Sequence, residues 1–297
     1  ASDVYKRQFL LCCCLAAAVP FSVRGESLER VLRAVTDSVR ATVGVAVVFG
    51  DGDTLAVNGG RCYPMLSVCK FHQALAVLDR LDRRGLPLTT RIPVRRSDLL
   101  PGTWSPLREA CPGGGRFTVA ELLTYSVAQS DNNVCDVLFR FLGGTEAVDR
   151  YIAGLGIGET VIVADEEMMH RHTDNQYLNR TTPLAAVRLL ELFHRGELLS
   201  AAYGDFLLET MFATGTGPDQ LRGLLPADVA VAHKTGSSDR DGRGVKIADN
   251  DIGIVRLPDG RSYSIAVFVM DSREDDRTNA AVIARISRLV YDYAARR

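Results

Sequence analysis

Ser67-Val68-Cys69-Lys70 sets a hydroxyl and an amine three residues apart, nearly one turn of helix. On a helix the two side chains share a face. A serine hydroxyl is a poor nucleophile until its proton is taken. A lysine beside it can hold the oxygen through its ammonium or, with a depressed pKa, accept the proton. A helix-start Ser with a surface Lys has the same spacing, so this pair alone decides nothing. Ser130-Asp131-Asn132 adds a second hydroxyl able to relay a proton to a leaving nitrogen, and an amide able to bind a carbonyl. Asp131 reads as tying down its own loop, although the same three residues also suit a helix N-cap. Lys234-Thr235-Gly236 closes an apolar run. An exposed cation and a hydroxyl beside a residue with no side chain would make an open strand edge, where a substrate carboxylate could rest on Lys234 and Thr235.

The elements that must position these groups are legible from periodicity. Leu28, Val31, Leu32, Val35 and Val39 recur at helical spacing. Val43–Phe49 and Thr54–Val57 flank Gly50-Asp51-Gly52-Asp53 and predict a hairpin. Val229–Thr235, Ile252–Leu257 and Ser262–Met270 read as strands, the last two joined through Pro258-Asp259-Gly260; Val282, Ile283, Ile286, Leu289, Val290 and Tyr293 then mark a C-terminal amphipathic helix. Between about Ser67 and Met211 the pattern is mostly helical, except for a polar, aperiodic stretch from about Ile157 to Asn179. The expected fold is α+β: an antiparallel sheet built from both termini and flanked by helices, with an inserted all-α subdomain. In residue numbers, the α/β part is 26–64 plus 214–297 and the all-α part is 65–213, within a single catalytic domain 26–297.

The three clusters follow in the order SxxK, SDN, KTG, separated by about 60 and 100 residues. This combination resembles the penicillin-recognising serine enzymes, the superfamily of class A serine β-lactamases and penicillin-binding proteins, and the resemblance covers essentially the whole chain beyond its N-terminal segment. It implies the β-lactamase/DD-peptidase-like fold, Ser67 as nucleophile, Lys70 and Ser130 as proton carriers, and Asn132, Lys234 and Thr235 as substrate-binding groups. The backbone N–H of Ser237, with that of Ser67, would form an oxyanion hole. Trp104, followed by Ser105-Pro106, resembles an aromatic wall at the cleft mouth, a position that a packing residue would fill equally well.

Within that superfamily, class A lactamases carry a Glu on an Ω-shaped loop, four residues before a side chain that holds the deacylating water. In Ala164-Asp165-Glu166-Glu167-Met168-Met169-His170 this selects Glu166 over Glu167 as general base. Two departures stand out. His170 occupies the position usually held by Asn, and the usual Arg–Asp brace of the loop neck is replaced by Ala164 and Asn179 together, which implies a different packing of the neck. Ser67–His72 and Tyr125–Asn133 take the form of a minority branch of cephalosporinases and extended-spectrum enzymes, implying cephalosporins and penicillins as substrates. An Arg assisting the substrate carboxylate is expected after Thr216-Gly217, but Gln220 stands near that place, which leaves Arg222 or Arg243 as substitutes; His72 and His233 read as structural. The rival readings are a D-alanyl-D-alanine carboxypeptidase or penicillin-binding protein, which lacks the Glu166 loop, and a non-catalytic β-lactam sensor or binding domain, which would need a membrane span.

Composition sets the outer bounds. The chain has 297 residues, 46% hydrophobic and 24% charged, with a net charge of −1, enough for a sizeable core and without the basic footprint of a nucleic-acid binder. Lys6 and Arg7 precede the apolar run Phe9–Val19 and the small residues Ala16, Ala17 and Ala18, the pattern of an export signal over roughly residues 1–25. The run is too short for a spanning helix, which needs about 20 apolar residues. The expectation is therefore a periplasmic or secreted monomer acting on a small-molecule β-lactam, with no cofactor and no metal. Cys12, Cys13 and Cys14 fall in the signal; Cys62, Cys69, Cys111 and Cys135 fit no zinc spacing and read as buried free thiols.

Overall fold

The computed structural model describes residues 27–297; the export signal read from residues 1–25, with its three cysteines, lies outside them. Ser27 caps α1 (Leu28–Thr36), whose buried face is Leu28, Val31, Leu32 and Val35. β1 (Thr42–Phe49) and β2 (Thr54–Val57) form the first hairpin. The two-residue β3 (Tyr63–Pro64) leads through a 3-10 turn, Leu66–Val68, into α2 (Cys69–Arg84). Gly85 ends α2 at φ 61°, a left-handed cap that glycine adopts without strain.

The helical insertion carries a small two-stranded sheet of its own, β4 (Arg91–Arg95) with β5 (Gly114–Thr118), and α3 (Pro106–Ala110) lies in the connection between them. It continues through α4 (Val119–Leu123), α5 (Asn132–Leu142), α6 (Thr145–Gly154) and α7 (Glu166–Arg171). The two-residue β6 (Arg180–Thr181), which pairs with β3, leads to α8 (Pro183–His194) and α9 (Ala201–Phe212). The chain then returns to the main sheet as β7 (Ala230–Ser237), β8 (Lys246–Arg256) and β9 (Ser262–Ser272), and closes with α10 (Asp276–Ala294).

The main sheet is antiparallel, in the order β2-β1-β9-β8-β7, so strands from the first and last thirds of the chain join side by side at the β1–β9 pair. Its two faces feed two cores with the period of two that a pleat imposes. Val43, Val45, Val47 and Phe49 of β1, with Tyr263, Ile265, Val267 and Val269 of β9, pack against α1 and α10. Ala46, Ala266, Phe268, Ile252 and Ile254 face the opposite way, into the core shared with α2, α5 and α8. Both faces being covered explains why these strands read as continuous apolar runs rather than alternating ones.

β8 begins at Lys246, six residues before the apolar run starting at Ile252. The polar stretch Asp249-Asn250-Asp251 is buried in the sheet because each side chain finds a partner: Gln220, the Pro64 carbonyl and His233 respectively. Among the described residues no helix is long and apolar enough to cross a membrane.

Candidate active site

Ser67 sits in the turn between β3 and α2, held from two sides. The Met65 N–H donates to the Asn179 carbonyl at 2.8 Å, and Asn250 Nδ2 donates to the Pro64 carbonyl at 2.8 Å. Leu66, just before the nucleophile, has φ 47°, and Ser130 has φ 58°. Left-handed backbone at non-glycine residues costs energy and persists only where the surroundings enforce it. The edge strand β7 approaches this turn so closely that a Cβ on Gly236 would lie 2.4 Å from the Met65 carbonyl oxygen and 3.2 Å from the Ser67 nitrogen. Glycine at this position is thus a requirement of contact.

Lys70 is fully buried and is the hub. Its Nζ donates to Ser67 Oγ at 2.9 Å, to the Ser130 carbonyl at 2.9 Å and to Asn132 Oδ1 at 2.5 Å, and lies 3.0 Å from Glu166 Oε1. Burial penalises its ammonium, but the charge of Glu166, helped by Cys135 and Cys69, outweighs that cost and holds its pKa above the ordinary value. Lys70 therefore rests as a cation. Lys234 is the opposite case. Burial, then repulsion from Lys70, brings it down to about 7.

The sequence suggested an exposed cation at Lys234; the structure buries it completely, because its Nζ is taken by Ser130 Oγ at 3.0 Å and the Thr235 carbonyl at 2.8 Å. Thr235 Oγ1 lies 2.6 Å from Thr216 Oγ1. Asp131 ties its loop as read from the sequence, accepting from Ser105 Oγ at 2.9 Å and from the N–H groups of Leu107 and Val134 at 2.7 and 2.9 Å.

Glu166 opens α7, a six-residue helix capped by Asp165, which accepts from the Met168 N–H at 2.8 Å. Asp136 on α5 accepts the N–H groups of Glu166 and Glu167 at 2.7 and 3.0 Å. Burial, with the charges of Glu166 and Asp165, pushes Asp136 up to about 7 against those two bonds. At the loop neck, fully buried Asn179 accepts from the N–H groups of Val163 and Ala164, both at 2.9 Å, and donates to the Ala164 carbonyl at 2.7 Å. One amide side chain thereby braces the neck without charge. His170 has both ring nitrogens engaged, Nδ1 with the Glu166 carbonyl at 2.7 Å and Nε2 with Thr103 Oγ1 at 3.1 Å.

The cleft above Ser67 is lined by Trp104, Ser130, Asn132, Thr216, Gln220, Thr235, Ser237, Lys246 and Asp249. Trp104 is 57% exposed, and its indole N–H donates to the Gln129 carbonyl at 2.8 Å. Neither Arg222 nor Arg243 is among the lining residues. Arg243 is pinned to Asp241 at the tip of the β7–β8 hairpin, and the cation that lines the cleft is Lys246. Asp249 lies beneath it, raised to about 6 by burial against the opposing pull of Lys246, and bonded to Gln220 and the Ser237 hydroxyl.

His72 and His233 are buried away from this cleft, with His233 Nδ1 3.0 Å from Asp251 and His72 brought down to about 4 by burial. All four described cysteines are free; Cys69 and Cys135 are buried, whereas Cys62 is exposed and Cys111 half-buried, so the expectation of burial fails for those two. Among the described residues no group of three or more His, Cys, Asp or Glu could hold a metal.

The structure gathers Ser67, Lys70, Ser130, Asn132, Glu166 and Lys234 into one connected network, with Thr235, Ser237 and Trp104 on its rim. Thr103, Asp136, Gln220, Lys246 and Asp249 belong to the same region and were not singled out from sequence, apart from Gln220 as the residue standing where an Arg was sought. Chemically, a hydroxyl beside an ammonium beside a carboxylate, with a second hydroxyl beside a second amine, suits acyl transfer to serine followed by hydrolysis.

Comparison with known proteins agrees with this geometry. A family model described as the beta-lactamase enzyme family (Beta-lactamase2) matches residues 27–294. A beta-lactamase of Bacteroides uniformis is 46% identical over 281 residues, covering 94% of this chain and 95% of that protein. The extended-spectrum beta-lactamase PER-1 of Pseudomonas aeruginosa is 41% identical over 274 residues, covering 92% and 89%. The crystal structure of the TLA-3 extended-spectrum beta-lactamase superposes with a TM-score of 0.88 at 47% identity, covering 90% of this chain and 98% of that one.

Proposed function

The chain belongs to the beta-lactamase enzyme family, in class A, and as a serine β-lactamase it hydrolyses β-lactam antibiotics; from that premise we propose how its residues divide the work. The observation that carries the proposal is the contact of Lys70 with both Ser67 and Glu166.

Ser67 attacks the lactam carbonyl. Lys70 rests as a cation, so it can accept the Ser67 proton only by first giving one up, and the proton ends on Glu166, through Lys70 or through water. The backbone N–H groups of Ser67 and Ser237 stabilise the developing oxyanion. Ser130 protonates the departing ring nitrogen and is resupplied from Lys234, 3.0 Å away. Asn132 binds the substrate's amide carbonyl, Lys234 and Thr235 bind its carboxylate, and Trp104 walls the cleft mouth. The proton held by Glu166 is then passed on through water to restore the Lys234 ammonium, leaving Glu166 a carboxylate. Glu166 takes a proton from the water that attacks the ester carbonyl and returns it through Lys70 to Ser67, which leaves as the alcohol.

Cephalosporins, including extended-spectrum compounds, are the proposed preferred substrates, on the strength of the extended-spectrum names carried by the PER-1 and TLA relatives. Residues 1–25 are proposed to direct export, with the mature monomer acting in the periplasm or outside the cell.

The test is turnover of a chromogenic cephalosporin by the purified enzyme and its Ser67→Ala variant. Many turnovers by the first and loss of at least ~1,000-fold in the second are expected. Retained turnover in Ser67→Ala would reject Ser67 as the nucleophile.

A further inference from the structure

Thr103 stands where three parts of the site meet. It precedes Trp104 on the segment that leads to α3, its hydroxyl lies 2.7 Å from Asn132 Nδ2 at the head of α5, and the same oxygen lies 3.1 Å from His170 Nε2 on α7. Every proton in this chain of contacts can be assigned from the chemistry of its ends. The Lys70 ammonium can only donate, so the Asn132 atom facing it at 2.5 Å is the amide oxygen, and the atom facing Thr103 is the amide nitrogen, also a donor. Thr103 Oγ1 therefore accepts from Asn132, and its own O–H is free to donate to His170 Nε2.

The other end agrees independently. His170 Nδ1 lies 2.7 Å from the Glu166 carbonyl, which can only accept, so Nδ1 carries a proton, and in the neutral imidazole Nε2 is then the acceptor that Thr103 needs. The polarity runs one way, from Lys70 through Asn132, Thr103 and His170 to the backbone of Glu166, with no donor facing a donor. It leaves the second N–H of the Asn132 amide uncommitted, and Asn132 lines the cleft.

We infer that Thr103 is a positioning residue: its hydroxyl fixes the orientation of the Asn132 amide and the tautomer of His170, and so registers the Glu166 helix against the substrate-binding amide. It touches no reacting atom in this scheme. Without the hydroxyl, Asn132 is held from one side only and the α7 imidazole loses its link to α5. Misplacement by about 1 Å can cost up to ~100-fold in rate. Only one hydrogen-bonding group is removed here, at a half-exposed position, so the expected effect is smaller.

This inference rests on the proposed roles of Glu166 and Asn132, and the experiment separates the two. Thr103→Val removes the hydroxyl at nearly constant volume; Thr103→Ser keeps it. Acylation and deacylation rates are measured separately by rapid mixing and mass spectrometry of the acyl-enzyme, using one cephalosporin, for both variants and for His170→Phe and the Thr103→Val/His170→Phe double variant. Thr103→Val is expected to slow deacylation about tenfold with accumulation of acyl-enzyme. Thr103→Ser should stay within about twofold of the parent, and the double variant should lose less than the product of the single losses, as coupled groups do. Thr103→Val with parental deacylation, Thr103→Ser as impaired as Thr103→Val, or fully multiplicative losses would each overturn the inference. A Glu166→Gln control that still deacylates normally would instead reject the reading on which the inference rests.

Discussion

Replacing Asn179 by Ala removes three hydrogen bonds to backbone groups at the neck of the Glu166 loop, with a longer one to Met169 Sδ at 3.8 Å, and the cost can be worked from the geometry. The N–H and C=O of Ala164 are the groups that suffer, because Ala164 is fully buried and both of its polar atoms lose their partner in the same substitution. Val163 is 43% exposed, so its N–H can turn to water and adds little. Two stranded buried groups cost about 1–3 kcal/mol each, which puts the destabilisation near ~3 kcal/mol and the fall in Tm at about 6–12 °C for a domain of this size. Thermal unfolding followed by circular dichroism gives the first number.

Hydrolysis kinetics gives the second. The neck fixes where α7 begins, so kcat should fall with accumulation of acyl-enzyme while the acylation rate changes less. Asn179→Asp offers a sign test. It keeps the two acceptor bonds but sets a carboxyl oxygen against the Ala164 carbonyl in a dry site, which raises the folded-state pKa of the new acid. Its stability should thus be present at low pH and be lost as pH rises through that raised value. If Asn179→Ala melts within about 2 °C of the parent and deacylates normally, the neck is held by something else and the reasoning is wrong.

Two further outcomes follow from the same geometry. Lys234, at about 7 in the free enzyme, is cationic below that pH and neutral above it. For a carboxylate-bearing β-lactam, kcat/KM should accordingly decline above about pH 7, while the alkaline limb of kcat, set by the complex in which the substrate carboxylate favours the ammonium, lies higher; a kcat/KM profile flat to about pH 9 would contradict this. Gly236→Ala places a methyl 2.4 Å from the Met65 carbonyl and should cost at least ~10-fold in acylation rate by driving β7 away from the Ser67 turn, with a smaller loss of thermal stability. An unchanged acylation rate would show that the close approach is not needed.

The legible part of this protein is what local pattern encodes. Apolar runs and turn residues gave the β1–β2 and β8–β9 hairpins and both terminal helices, and the three short clusters pointed to groups that the fold brings within hydrogen-bonding distance. The illegible part is pairing across long sequence separations. Nothing near Lys246-Ile247-Ala248-Asp249-Asn250-Asp251 marks it as strand, because the hydrogen bonds that let Asp249, Asn250 and Asp251 be buried come from Gln220, the turn before Ser67 and His233, all distant in sequence. Lys234 looks like a surface cation until Ser130 is seen against it. The loss of both charges at the loop neck was readable as an altered packing; that one uncharged amide on Asn179 replaces them was not. Thr103 and Asp136 carry no local signal, since their partners lie 67 and 30 residues away.

The most direct test of the division of labour between Ser67 and Glu166 is the fate of the acyl-enzyme in Glu166→Gln. This variant removes the carboxylate while keeping its shape beside Lys70. Mixed with a cephalosporin and analysed by peptide mass spectrometry, it should carry one equivalent of opened β-lactam on Ser67, persisting for minutes to hours with turnover lost. Parental turnover in Glu166→Gln, or an adduct on any residue other than Ser67, would contradict it.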